Sequence, residues 1–251
     1  MSATRLAASL LFVAATAAAT SCGSTSLAGP RPAPKVDHLG AISELFAGGT
    51  PAHSVPLAPL LGLKHLYALG PLEGLRGEIL VWDGTPFTSR VVEGEPRVAV
   101  DPAAKAQFLV WSTATEWRDV PVYEDARTLS WFETWLPTAA RDAGLDETRP
   151  FAFLVVGAVD HATIHVDDFP ADGTPLTPET VGASQKVIEL ADAAVQILGF
   201  YAPNEAGAKG VYTSNDSNLH LHLRTQLGTA MGHVDDFALA PGAVLRLPWK
   251  R

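Results

Sequence analysis

The sequence is poor in the residues on which several common classes of protein depend. Its single cysteine excludes a disulfide within the chain and also excludes the cysteine-rich type of structural zinc site. The 18 lysines and arginines are outnumbered by 27 acidic residues and form no cluster, which argues against a nucleic-acid partner. Only 18% of the residues are charged, whereas 47% are hydrophobic, so the composition predicts a well-filled globular interior.

The first 21 residues have the features of an export signal. Arg5 precedes a run of small and apolar residues that is shorter than the roughly 20 needed to span a membrane. A retained membrane anchor is the alternative. Cys22 lies where a bacterial lipoprotein carries its lipid, after a loose resemblance to a lipobox, and secretion without a lipid is the alternative there. We therefore expect an exported protein, periplasmic or at the cell surface, with a lipid on Cys22 as its only membrane contact.

Residues 22–36 are rich in serine, glycine, alanine and proline, which is typical of a flexible tether. Residues 37–251 then form one domain, with about 37–125 and 150–251 as its suggested lobes. Apolar patterns between turn residues predict strands over residues 66–82, 85–100, 106–112, 150–166, 186–201, 218–225, 232–239 and 243–249. The chain is thus expected to adopt an α+β, strand-rich fold with few helices.

Two segments have apolar residues at helical spacing. Residues 36–47 are predicted to form a helix that ends at Gly48. Residues 125–144 are the clearest helix, with an apolar face made of Leu129, Phe132, Leu136 and Ala140. Pro137 is expected to end or kink this helix, because proline removes a backbone hydrogen bond and clashes with the preceding turn.

Two of the predicted strand segments are long. Residues 150–166 are expected to form two strands that turn near Asp160. Residues 186–201 are expected to form two strands as well, with one helix across both as the competing interpretation.

A pair of histidines alternates with leucines in the segment 218–224. Successive side chains of a strand point to opposite faces, so His220 and His222 share one face, about 6 to 7 Å apart along the backbone. His233 follows eleven residues after His222, and a turn around Gly228 would return it on an antiparallel neighbour. Three neutral imidazoles with open positions are typical of a catalytic metal site. The pattern therefore predicts one divalent metal ion on these three histidines.

Several alternatives remain open at this metal site. The histidines could instead be ordinary polar residues on a solvated sheet face. Zinc is the preferred ion, although imidazole also suits copper, nickel and iron. Asp235 lies two residues past His233 and would face the same side, where it either orients a ligand through a ring N–H or lies in solvent.

Three stretches of the sequence resemble the acetolactate decarboxylase family, in that family's order. Residues 69–79, followed by a D-G turn at 83–84, resemble its N-terminal signature, a glycine-bounded strand that reads G-E. Residues 199–203 resemble its G-F-x-x-P stretch, and residues 220–233 resemble its C-terminal signature of H-x-H followed by G-H. The resemblance covers most of residues 66–247.

The resemblance implies a two-lobed fold dominated by mixed and antiparallel sheets, usually dimeric, and a zinc-dependent conversion of acetolactate to acetoin and carbon dioxide. The substrate would be a small 2-hydroxy-3-keto acid. By position, the glutamate beside the metal is Glu78, for which an exposed strand carboxylate is the alternative. A metal would stabilise the enediolate as a Lewis acid, while Glu78, kept protonated by burial, would deliver a proton.

The sequence departs from the family at two positions. Family members carry an arginine after a strand that resembles residues 153–157, and the equivalent here is His165, which is shorter and only partly charged near neutral pH. His165 is expected to take part in catalysis as a hydrogen-bond donor or as a fourth metal ligand, with a partly buried strand histidine as the alternative. The sequence has no carboxylate after Asp236, whereas longer family members contribute one from a C-terminal tail.

The sequence supports three hypotheses about function. The first is a metal-dependent decarboxylase that converts 2-acetolactate to acetoin. The second is an exported protein on the same scaffold that binds or acts on another small hydroxy or keto acid, without acetolactate decarboxylase activity. The third is a surface interaction protein in which the histidines are incidental. We prefer the first because the spacing of all three histidines fits the family.

Overall fold

The computed structural model describes residues 30–46, 54–204 and 207–249, which contain fourteen strands and two α-helices. The strands of the N-terminal half are β1 (Val36–Leu39), β2 (Val55–Pro56), β3 (Leu66–Pro71), β4 (Glu78–Trp82), β5 (Thr85–Val92), β6 (Glu95–Val100), β7 (Lys105–Ala106) and β8 (Leu109–Thr113). The strands of the C-terminal half are β9 (Trp117–Pro121), β10 (Phe151–Val166), β11 (Lys186–Tyr201), β12 (Leu219–Thr225), β13 (Met231–Leu239) and β14 (Val244–Pro248). The helices are α1 (Leu129–Asp142) and α2 (Pro178–Ala183).

These strands form two six-stranded sheets, with β2 and β7 as a separate short pair. The first sheet has the order β1-β8-β3-β4-β5-β6, and the second has the order β11-β12-β13-β10-β14-β9. In the second sheet β10 also pairs with β11, so β10, β11, β12 and β13 close into a ring. All pairs of these named strands are antiparallel. The predicted α+β, strand-rich fold with few helices is confirmed.

The two sheets pack face to face through a shared apolar cluster. Leu80 and Val110 of the first sheet and Phe200 and Met231 of the second are buried members of it. On the other side of the second sheet, α1 buries the predicted apolar residues Phe132, Leu136 and Ala140. The opening between the sheets is therefore lined by strand residues from both halves of the chain, and this is where the predicted site residues lie.

The predicted D-G turn at residues 83–84 connects β4 to β5. Asp83 and Gly84 have φ angles of 47° and 80°, the pair of positive values that a tight type I′ hairpin turn requires. The turn brings Glu78, the first residue of β4, into register with Ser89 of β5.

Two expectations about helices were wrong: the helix over residues 36–47 and the end of α1 at Pro137. The predicted helix 36–47 is strand β1 followed by a 3₁₀ turn (Ile42–Glu44), because pairing with β8 along all four residues of β1 outweighs the helical spacing. The helix α1 continues past Pro137 to Asp142, because the buried residues after Leu136 hold its last turns against the core. Gly48 lies outside the described residues.

The two long strand segments are each one continuous strand. β10 and β11 pair along their whole lengths, from Phe151 opposite Tyr201 to Val166 opposite Lys186. The expected turn near Asp160 is a shift in strand register on β10 instead, which bends the strand without reversing it. Neither a turn nor a helix interrupts β11, because each of its two halves is hydrogen-bonded to β10.

The export signal and Cys22 lie outside the described residues. The described end of the predicted tether lies against the domain, where Arg31 exchanges backbone hydrogen bonds with Gly144 and Asp146. No helix of the described residues is both long enough and apolar enough to cross a membrane.

Candidate metal centre

The three predicted ligands lie together between the sheets. His220 and His222 project from the same face of β12, and His222 is in register with His233 on β13. One ring nitrogen of each histidine lies within 4.8 Å of the corresponding nitrogens of the other two. The intervening leucines of β12 pack into the apolar cluster on the opposite face. The structure therefore brings together the group that the sequence predicted, and it could hold a metal ion.

Hydrogen bonds set the tautomers of two of these rings. The Nδ1 atoms of His220 and His222 lie 2.9 Å and 2.7 Å from the backbone oxygens of Tyr212 and Ile79. Because a carbonyl oxygen only accepts, both Nδ1 atoms carry the hydrogen and both Nε2 atoms keep a lone pair. The Nε2 of His222 is fully buried and has no hydrogen-bond partner. A metal ion would satisfy this unpartnered acceptor, so the residues present fit the predicted group.

Burial keeps all three rings neutral. It lowers the pKa of His220 to about 4. The pKa values of His222 and His233 lie well below the usual range, first because of burial and then because of neighbouring histidines. Neutral imidazole is the form that binds metal, so no proton has to leave these rings at neutral pH.

Glu78 lies at the start of β4, across from the three histidines. Its Oε2 is 3.5 Å from the Nε2 of His222, and its Oε1 accepts a hydrogen bond of 3.2 Å from the backbone N–H of Asp167. Only 2% of Glu78 is exposed. Burial and the nearby carboxylate of Asp167 raise the pKa of Glu78 well above its usual range. Burial therefore favours the protonated form of Glu78 beside the candidate metal centre.

Glycine precedes both Glu78 and His233 for a steric reason. A β-carbon on Gly77 would lie 2.1 Å from the backbone oxygen of Ser89, and one on Gly232 would lie 2.4 Å from that of His165. Both contacts are far closer than atoms can approach. The G-E and G-H pairs of the sequence are thus places where a neighbouring strand packs directly against the backbone.

His165 lies next to the three histidines but outside their group. It is in register with His233, and the two ring centroids are 4.9 Å apart. Its Nδ1 is 2.8 Å from Oδ1 of Asp235, and its Nε2 is 3.0 Å from the side-chain nitrogen of Gln185. Asp235 therefore orients His165, and not one of the three predicted ligands.

Asp167 and Gln185 are site residues that the sequence analysis missed. Asp167 directly follows β10 and is buried, while Gln185 lies between α2 and β11. Their side chains meet in a hydrogen bond of 3.1 Å from the Gln185 amide to the Asp167 carboxylate. No sequence motif marks either residue, because they are eighteen positions apart and meet only when the segment between β10 and β11 folds.

A cavity of about 410 Å³ opens onto these groups. One wall is polar and contains Glu78, His165, Asp167, Gln185, His220, His233 and Asp235. The opposite wall is apolar and includes Ile42, Leu45, Phe46 and Val181. Among the described residues that line the cavity there are three carboxylates and no lysine or arginine.

Comparison with known families identifies this architecture. The family model described as alpha-acetolactate decarboxylase matches residues 63–246, more than half of the 251-residue chain. The chain belongs to the alpha-acetolactate decarboxylase family.

This family member shares its fold with solved structures of low sequence identity. The alpha-acetolactate decarboxylase from Bacillus subtilis strain 168 is 16% identical, with 86% of each chain covered and a TM-score of 0.68. The acetolactate decarboxylase from Bacillus subtilis subspecies spizizenii is 17% identical, with the same coverage and TM-score. A Staphylococcus aureus protein of unknown function, similar to alpha-acetolactate decarboxylase, is 17% identical over 86% of each chain, with a TM-score of 0.64. Comparison with curated protein sequences gives no match.

The three stretches that resemble the alpha-acetolactate decarboxylase family meet around one cavity. Residues 69–79 supply Glu78, and residues 220–233 supply the three histidines. Residues 199–201 of the remaining stretch form the end of β11, which pairs with β12 and places His220 opposite Phe200. Sequence signatures that are far apart along the chain therefore converge on a single site.

Proposed function

We propose that this protein is a metal-dependent carboxy-lyase that converts 2-acetolactate to acetoin and carbon dioxide, with zinc held by His220, His222 and His233. The observation that carries the proposal is the buried Glu78, whose pKa is raised well above its usual range, beside an unpartnered histidine nitrogen. The family supports the type of reaction, and the three neutral imidazoles support the metal. When bound, the metal supplies a Lewis acid for the oxygens of the substrate.

Glu78 would supply the proton in this reaction. As the bond to the departing carboxylate breaks, its electron pair passes to the neighbouring carbonyl group, and the carboxylic acid of Glu78 then protonates the carbon that lost carbon dioxide. Solvent returns a proton to Glu78. The net change consumes one proton and one acetolactate anion and yields acetoin and carbon dioxide. Apolar residues of the cavity lining, Ile42 and Leu45 among them, would limit the access of water to the reacting carbon.

The direct test is incubation of the purified protein with 2-acetolactate, with acetoin formation followed over time. We expect acetoin to form, its formation to stop when a chelator is added, and activity to return when zinc is restored. Absence of acetoin from metal-loaded protein would refute the proposal. A panel of other divalent ions in the same assay identifies the preferred metal.

A second candidate function keeps the metal centre and changes the ligand. The cavity lining has no lysine or arginine among the described residues, and His165 stands where the resemblance implied an arginine. The protein would then bind or act on a different small hydroxy or keto acid. Calorimetric titration of metal-loaded protein with a panel of such acids separates the two candidates. The second candidate requires that one of these acids binds while no acetoin forms from acetolactate.

Export completes the proposal. We infer that residues 1–21 direct export and that Cys22 carries a lipid, since the sequence of this stretch has both features. Mass spectrometry of the mature protein should find a chain that begins at a lipid-bearing Cys22. A Cys22→Ser variant should leave the membrane fraction. We propose a homodimer as well, on family resemblance, and sedimentation analysis of the purified protein tests it.

A further inference from the structure

The polar wall of the cavity holds a second group of ligand atoms, separate from the three histidines. Glu78, His165 and Asp167 each place one ligand atom within 4.8 Å of those of the other two. All three residues are buried or nearly so. They come from β4, from β10 and from the residue that follows β10, so the two-sheet packing creates the group.

His165 offers a lone pair to this group. Its Nδ1 donates to the carboxylate of Asp235, so its Nε2 is an acceptor. The side-chain nitrogen of Gln185 lies 3.0 Å from that Nε2 and 3.1 Å from Oδ1 of Asp167, and it donates to both. The two acceptors are 3.8 Å from each other. The ring nitrogen of His165 and the carboxylate of Asp167 therefore both point at the Gln185 amide nitrogen.

These separations are close to those between ligands of one metal ion. Ligand atoms about 2.1 Å from a shared ion lie roughly 3.0 to 3.4 Å apart in octahedral and tetrahedral geometry. Turning the Gln185 amide by 180° exchanges its nitrogen for its oxygen without moving the chain. A carbonyl oxygen then takes the place of the donor and becomes a fourth ligand, alongside His165, Asp167 and Glu78.

The charge of the cavity also favours a cation here. Three carboxylates line the cavity, and no lysine or arginine among the described residues lines it to balance them. Glu78 and Asp167 are buried, and a divalent ion would offset the cost of ionising carboxyl groups there. One oxygen of Glu78 faces His222 and the other faces Asp167, so its carboxylate lies between the two groups of ligands.

We propose that Glu78, His165, Asp167 and Gln185 form a second divalent-cation site next to the three histidines, with the Glu78 carboxylate shared between the two. One imidazole and three oxygen ligands suit Mn²⁺ or Zn²⁺. An ion at this position supplies a positive charge that no lysine or arginine of the described cavity lining provides, and it lies at the cavity. The proposal concerns metal binding alone: an ion at this site binds deprotonated Glu78 and therefore competes with the proton that Glu78 holds in the proposed decarboxylation.

The test counts manganese in zinc-loaded protein. The full chain is stripped of metal, given one equivalent of Zn²⁺, and titrated with Mn²⁺ while the signal of free aqueous Mn²⁺ is followed by electron paramagnetic resonance. We expect one Mn²⁺ per wild-type chain and at least tenfold weaker binding in Asp167→Asn. Asp168→Asn is the matched control, because it removes the same charge one residue away from the site and should bind as wild type does.

Two further variants make the result decisive. His222→Ala, titrated with Mn²⁺ without added zinc, removes a ligand of the first group and should still bind Mn²⁺, whereas loss of the ion there would place it on the three histidines and overturn the proposal. Absence of Mn²⁺ binding in wild type, or equal binding in Asp167→Asn, would also overturn it. Should Asp167→Asn not fold by circular dichroism, Gln185→Leu replaces it, since Gln185 lies in a partly exposed connection. Tenfold weaker binding is expected there, and unchanged binding counts against the four-ligand set.

Discussion

Oε2 of Glu78 lies 3.5 Å from Nε2 of His222, across the junction between the two sheets. The same strand that supplies Glu78 also holds the other nitrogen of this ring, because the backbone oxygen of Ile79 accepts from Nδ1 of His222. One strand of the first sheet therefore both orients a metal ligand of the second sheet and places an acid beside it.

This relationship predicts that Glu78→Gln separates metal binding from catalysis. The amide keeps the size of the side chain but has no acidic proton to give, so we expect the rate of acetoin formation to fall roughly 10²- to 10⁴-fold. Zinc at the three histidines should remain near one equivalent by elemental analysis. Glu73→Gln is the control, since Glu73 is an exposed glutamate five residues earlier and should leave the rate unchanged. Full activity in Glu78→Gln would remove Glu78 from the mechanism.

Replacing a histidine of the three should abolish zinc binding there. His222→Ala removes a buried ligand whose Nε2 has no partner within the protein, and we expect zinc bound by the three histidines to fall below a tenth of an equivalent. His161→Ala provides the comparison, because His161 is an exposed histidine of β10, the strand that pairs with β13. Equal zinc content in the two variants would mean that the metal lies elsewhere.

Burial of His220 predicts a specific pH dependence of stability in the metal-free protein. Its pKa falls from about 6.5 in the unfolded chain to about 4 in the folded one, so the unfolded state takes up the proton first as the pH falls. The titration of His220 therefore does not reduce the free energy of unfolding above about pH 6.5, and it reduces that free energy progressively as the pH falls to about 4. The loss is about 3 kcal/mol at most.

Urea unfolding of wild type and His220→Asn with a chelator present measures this effect. Other groups titrate in the same window, and the raised pKa of Glu78 acts in the opposite direction, so the difference between the two proteins is the relevant quantity. We expect the unfolding free energy of wild type to decline relative to the variant between pH 7 and pH 4. A constant difference would show that the ring is not buried in its neutral form.

Gly232→Ala should destabilise the protein and weaken zinc binding together. The added β-carbon would lie 2.4 Å from the backbone oxygen of His165, so β10 and β13 must separate and carry His233 away from the other ligands. We expect a loss of about 2 kcal/mol or more in thermal or urea unfolding. Gly182→Ala is the matched control, because no atom lies within 4 Å of its added β-carbon. Similar stability of the two variants would contradict the close packing of β10 on β13.

Much of the site was predictable because it depends on short-range rules. Alternation along β12 places His220 and His222 on one face whatever the rest of the chain does, and a turn of a few residues returns His233 beside them. The D-G turn after β4 follows equally from local backbone preference. The strand-rich fold class was predictable for the same reason, because apolar alternation and turn residues identify each strand without knowledge of its partners.

Residues 36–47 show where this reasoning fails. Their apolar spacing is helical, but β1 forms because it hydrogen-bonds to β8, whose paired residues lie 70 to 76 positions further along the chain. The continuity of β10 and β11 is likewise a consequence of pairing with each other, which neither segment encodes alone.

The sequence by itself determined the three histidines, the glutamate on its glycine-preceded strand and the family. Only the tertiary structure decided that Asp235 holds His165, and that Asp167 and Gln185 complete the polar wall. The physical reason is distance along the chain: spacing reports neighbours within a strand or a hairpin, whereas these contacts join separate elements. The neutral state of the buried groups was decided in the same way, because burial between two packed sheets is a property of the whole fold.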